Sequence, residues 1–113
     1  MTNTEHTSII ASWIEATNSY DTARYLSYFS DGAVLDDPSV GGEHNGLNRI
    51  QEYFESWFVG LNTQTRLLDV TLQDDRYRVE VHFTGDFPEG EADGVFVITF
   101  EGNRFSRVWA ELA

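Results

Sequence analysis

In the first half of the chain, apolar positions recur at the three-and-four spacing of helices; beyond Asn62 they alternate with polar ones. Behind Thr2-x-x-Glu5, which has the form of a capping box, Ile9, Ile10, Trp13, Ile14 and Thr17 fall on one helical face. They predict a first helix ending near Asn18. Asp21 is a natural N-cap for a short second helix in which Tyr25, Leu26 and Phe29 share a face, stopped by Ser30-Asp31-Gly32. Ala33 to Asp37 reads as a strand closed by Pro38, and Ser39 to Gly46 as a glycine-rich loop without periodicity. From Leu47, the residues Ile50, Tyr53, Phe54, Trp57 and Phe58 form one broad apolar stripe, which predicts a third helix packed on a core. The period then changes to two. Arg66, Leu68, Val70 and Leu72 alternate, Asp74-Asp75 turns, and Tyr77, Val79, Val81 and Phe83 alternate again. After a polar loop from Gly85 to Asp93, Gly94–Phe100 and Arg104–Leu112 form a second hairpin across Glu101-Gly102-Asn103.

Helices first and antiparallel strands after define an α+β chain. Three helices against one curved sheet make a cone whose open end admits a ligand. The 113 residues suit a single domain spanning 1–113, able to bury roughly two-thirds of the surface of its unfolded form. Composition narrows the partners. The formal charge of -12 comes from 19 acids against seven bases, all Arg, which argues against nucleic acid and anionic membranes. There is no cysteine, so neither a disulfide nor a thiolate metal site can form. A polar N-terminus and the absence of an apolar run near the roughly 20 residues of a membrane span suggest a cytoplasmic protein.

The stretches Asn18-Ser19-Tyr20-Asp21, Tyr28-Phe29-Ser30-Asp31-Gly32-Ala33 and Asp36-Asp37-Pro38, with Gly46 before the third helix, resemble the N-terminal half of the Δ5-3-ketosteroid isomerases. Tyr77-Arg78-Val79-Glu80-Val81, Gly94-Val95-Phe96 and Arg104-Phe105 to Trp109 are similar to the sheet of SnoaL-like domains. The resemblance covers nearly the whole chain. It implies the cone-shaped, cystatin-like fold of the nuclear transport factor 2-like superfamily, which includes isomerases, polyketide cyclases, epoxide hydrolases, dehydratases and proteins without activity.

Alternation on the strand before Pro38 places Ala33, Leu35 and Asp37 on one face. Facing into the cone, Asp37 is a carboxylate among apolar groups, a setting suited to a general base. It also coincides with the catalytic base of the isomerases. The alternative is an acid accepting backbone hydrogen bonds at a Pro turn. The isomerases' two oxyanion donors fall at Trp13 and Phe96, and Phe donates nothing, so steroid isomerisation is not expected. Trp13, Tyr53, Trp57, Val79 and Phe96 are the expected pocket walls.

A second constellation, Arg78, Glu80 and His82 on one strand with Glu111 after Trp109, is similar to the limonene-epoxide-hydrolase arrangement of an Arg bridging two carboxylates. Here Glu stands where that family has Asp. Tyr77, Val79, Val81 and Phe83 compete for the inward face, which would leave Arg78 and Glu80 outside. His6 and His44 read as solvent-exposed, and no His or Cys spacing suggests a metal; no cofactor is expected. The function class is therefore an enzyme acting without cofactor on a small apolar molecule, or a non-catalytic ligand-binding or dimerisation domain. A homodimer through the outer face of the sheet, carrying Trp109 or Phe105, is a further expectation.

Overall fold

The computed structural model describes the backbone of residues 2–113 and the side chains from residue 5 onward. The capping box at Thr2 lies outside the described side chains. Helix α1 (Thr2–Asn18) and helix α2 (Thr22–Ser27) open the chain, followed by strand β1 (Phe29–Asp37) and a single 3-10 turn (Pro38–Val40). Strand β2 (Gly42–Asn45), helix α3 (Leu47–Phe54) and a π turn (Glu55–Val59) come next, then β3 (Gln64–Gln73), β4 (Arg76–Thr84), β5 (Glu91–Glu101) and β6 (Arg104–Leu112).

The strands form one six-stranded sheet in the order β2-β1-β6-β5-β4-β3. This is the α+β architecture that the pattern predicts, with two differences. β1 runs parallel to β6, because the chain returns to the sheet through the whole of α3 to β5 before β6 is laid beside β1. The glycine-rich loop contains strand β2, which pairs antiparallel with β1 across Gly41 and Gly42, both at positive φ. Four residues are too few for periodicity to show. Phe29, expected on the face of α2, instead begins β1 and is fully buried there.

Asp21 caps α2 as expected, its carboxylate accepting from the Arg24 amide at 3.1 Å. At the end of α1 the Asn18 side chain behaves like a short strand, donating to the Thr65 carbonyl at 2.8 Å and accepting from the Thr65 amide at 2.7 Å. This ties the helix to the sheet edge. The π turn after α3 has the Gly60 amide bonding back to Glu55 O at 2.8 Å; the wider turn rotates Trp57 out of the apolar stripe, leaving it 43% exposed while Phe58 stays buried.

Trp13, Tyr25, Phe29, Phe54 and Phe105 are fully buried at the heart of the core, each such side chain contributing roughly 1.5–3 kcal/mol of transfer free energy. His6, expected in solvent, is buried: Nε2 lies 2.9 Å from the Gly102 carbonyl, Nδ1 lies 3.1 Å from the Tyr77 hydroxyl, and the ring stacks on Phe100. The β5–β6 turn folds back over the start of α1, a contact that local sequence does not reveal.

Candidate functional site

Where β4, β5 and β6 splay away from α3 the interior is hollow. A cavity of about 260 Å³ is walled by Tyr53, Trp57, Phe58, Phe83, Phe87 and Phe96, with Ala92, Ala110 and Leu112 completing the sheet side. Small side chains make the room. Gly94 contributes too: a Cβ there would collide with the Phe83 ring, so only glycine lets that ring lie flat on the sheet at this point.

Asp37 stands in the wall. Burial along β1 alternates, with Ala33, Leu35 and Asp37 inside, so the final strand residue before Pro38 carries its carboxylate inward, 8% exposed. Oδ1 accepts from the Ser39 amide at 3.1 Å and the Ser39 hydroxyl at 2.6 Å; Oδ2 accepts from the Tyr53 hydroxyl at 2.8 Å. Oδ1 closes the Pro turn, while Oδ2 is held by Tyr53, and the residue lines the cavity. A carboxylate accepts about four hydrogen bonds; among the described residues Oδ1 accepts two and Oδ2 one, which leaves a position on Oδ2. Burial, then the charge of Asp37, raises the Tyr53 hydroxyl well above its ordinary pKa, so Tyr53 remains a donor.

The expected walls divide. Tyr53, Trp57 and Phe96 line the cavity. Trp13 and Val79 sit in the packed core instead, Trp13 edge-on to Phe96 at 5.1 Å with its indole Nε1–H unpartnered among the described residues. Phe83, Phe87 and Ala110 were not anticipated as walls; the Phe87-Pro88 step within an otherwise polar loop was the available signal.

Arg78, Glu80 and His82 lie on the outer face, since their neighbours Tyr77, Val79 and Val81 are buried. Arg78 and Glu80 form an ion pair there, both half-buried. Glu111 shares that face: Val95 pairs with Glu80 on one side and with Glu111 on the other, and Glu111 reaches only the rim of the cavity. Parity on β6 is set by a bulge. Register shifts between Thr99 and Phe100, leaving Ser106 as the extra residue, so Phe105, Val108 and Ala110 point inward and Arg107, Trp109 and Glu111 outward. The inward geometry that the epoxide-hydrolase arrangement requires is therefore not met. Phe105, one of the two residues expected on the outer face, belongs to the core, and Trp109 is half-buried outside. Asp36, beside Asp37, pairs with Arg107 at 3.0 Å. His44 is half-buried, 3.0 Å from the Val40 carbonyl, and tilts against Tyr53.

Among the described residues no group of three His, Cys, Asp or Glu could hold a metal, and no helix is long and apolar enough to cross a membrane.

Fold and cavity together define the cone-shaped α+β class in which helices close one side of a curved sheet over an interior pocket. The SnoaL-like domain model matches residues 10–108, and the chain belongs to that family. Solved structures share the fold. A candidate polyketide cyclase from Sinorhizobium meliloti superposes with a TM-score of 0.83 at 21% identity, covering 91% of this chain and 93% of that one. The epoxide hydrolase/cyclase-like enzyme SalBIII, of pyran ring formation in the polyether salinomycin, gives 0.88 at 17% over 100% and 95%. TerC, co-crystallised with polyporic acid, gives 0.83 at 17% over 96% and 92%. No curated protein sequence matches the chain.

Proposed function

We propose that the protein is a cofactor-independent enzyme of the isomerase and cyclase type, which encloses a small apolar carbonyl or cyclic compound and moves a proton with Asp37. One observation carries this reading: a buried carboxylate with one open acceptor position, set in a cavity wall that is otherwise mostly apolar. In this mostly apolar cavity the open position on Oδ2 takes a proton from a ligand carbon or hydroxyl, while Ser39 and Tyr53 hold the carboxyl group in place. Tyr53 approaches the same oxygen from α3, so its hydroxyl steadies Oδ2 as the proton arrives and leaves. A cavity a little under the usual roughly 300–1,000 Å³ of ligand pockets fits a molecule of one or two rings. The co-crystal of TerC with polyporic acid supports a small-molecule ligand for the same fold.

A second reading is a non-catalytic binding domain. It is favoured by the positions where the isomerases have oxyanion donors: Phe96 has no donor to give, and the Trp13 indole is sealed in the core, so a developing enolate oxygen lacks support there. The experiment that separates the two is a thermal-shift and native mass-spectrometry screen against steroids, polyketide-like aromatics and terpene epoxides, repeated with Asp37→Asn. A compound that stabilises both proteins and is converted only by the wild type supports Asp37 as the base. Binding without conversion in either overturns the enzyme reading.

A further inference from the structure

We infer that the cavity selects a small ring compound carrying a protonated amine and rejects the carboxylate of the same shape; this rests on the cavity being the ligand site. Asp37 is buried with hydrogen-bond donors but, among the described residues, no cationic partner. A buried anion without a counter-ion is held at a cost, which a cation entering the cavity removes. The cavity's charged lining is Asp37 inside and Glu89 and Glu111 at the rim; no Arg or His belongs to it. Four of the seven arginines pair with other acids, Arg78 with Glu80, Arg107 with Asp36 and Glu43, Arg24 with Glu15, and Arg49 with Glu52, and none of the seven lines the cavity.

The walls suit a cation as well. Six aromatic rings line the hollow, and ring faces attract an ammonium group, more so when water is excluded. An ammonium N–H has a specific place to go, the open acceptor position on Asp37 Oδ2. A ligand carboxylate would meet the reverse: it would shed its hydration shell, face Asp37 across an apolar space, and find no cation to pair with.

The test uses three ligands of similar shape, naphthylmethylamine, naphthylmethanol and naphthoate, titrated into the protein at neutral pH by calorimetry. The amine is expected to bind at least about tenfold more tightly than naphthoate, with naphthylmethanol between them. Asp37→Asn should bring the amine down to the level of the alcohol. Glu89→Gln with Glu111→Gln, at exposed positions that leave folding intact, should reduce the amine-to-naphthoate ratio several-fold, by roughly the effect of two nearby surface charges. Asp74→Asn with Asp75→Asn, in the distant β3–β4 turn, should leave the ratio unchanged, which separates the cavity from general attraction to an acidic protein. Naphthoate binding as tightly as the amine, or a ratio insensitive to the cavity and rim variants, overturns the proposal. If naphthylmethanol binds while the amine gains nothing over naphthoate, only the charge selectivity falls. If none of the three binds the wild type, the ligand-pocket reading falls with it.

Discussion

At the end of the cone where β4 begins and β5 ends, the interior is filled: His6 of α1 lies flat on Phe100 at 3.7 Å, Phe100 meets Tyr77 at 5.5 Å, and Phe105 closes against Phe29 at 5.3 Å. At the other end the same three strands present Phe83, then Ala92 and Gly94, then Ala110 and Leu112, and the space between them and the π turn is open. Both ends are rich in aromatic rings. The difference comes from what stands opposite. Helix α1 supplies a ring to plug the first end, whereas the helix facing the second widens into a π turn and swings Trp57 outward, over small residues on the sheet. A hollow thus arises from a local loss of packing within an otherwise filled core, and under the proposed function the lost contacts are the room a ligand would use.

The comparison can be broken at either end. Phe105→Ala, in the filled region, should cost about 3–5 kcal/mol, read from urea melts; a loss below about 1 kcal/mol would show that this end is not close-packed. Gly94→Ala forces the Phe83 ring to move and should cost about 1–3 kcal/mol while changing ligand affinity, since that ring is a cavity wall.

Alkaline pH probes the walls from another direction. Burial raises the Tyr25 and Tyr53 hydroxyls, so both keep their protons in the folded chain above the ordinary tyrosine value while the unfolded chain releases them. The unfolded state then binds fewer protons, and stability should fall above about pH 10 by roughly 1.4 kcal/mol per pH unit for each tyrosine. Tyr53→Phe should make that decline shallower in melts taken across the alkaline range. Ala110→Leu, in the hollow region, should change stability by less than about 1 kcal/mol because there is space to fill, yet abolish binding of any ligand found by calorimetry. A large destabilisation there would mean the cavity is not available space. Smallest of all, Arg78→Ala on the outer face should shift stability by no more than about 0.5 kcal/mol and leave ligand binding untouched; loss of binding would return the outer row to consideration.

Much of this was legible in the residues. Alternation alone puts Asp37 on the face of Ala33 and Leu35, and it puts Tyr77, Val79 and Val81 inside with Arg78 and Glu80 outside, because side chains on an undisturbed strand take opposite faces in turn. What misled were the places where regularity breaks. The stripe from Ile50 to Phe58 reads as one helical face, but the π turn removes Trp57 from it. Uninterrupted alternation on β6 would have carried Phe105 and Glu111 to one side, and the bulge at Ser106 divides them.

The chain by itself determined the α+β class, the family likeness and the shared face of Ala33, Leu35 and Asp37, since each depends on spacing within one element or on matching a run of residues. Only the tertiary structure decided the parity of β6, the burial of His6 beneath a turn far along the chain, the parallel pairing of β1 with β6, and the position of the hollow. A bulge, a π turn and a long-range contact are stabilised by neighbours from other elements. A single stretch of sequence carries no record of those neighbours until the chain has folded around them.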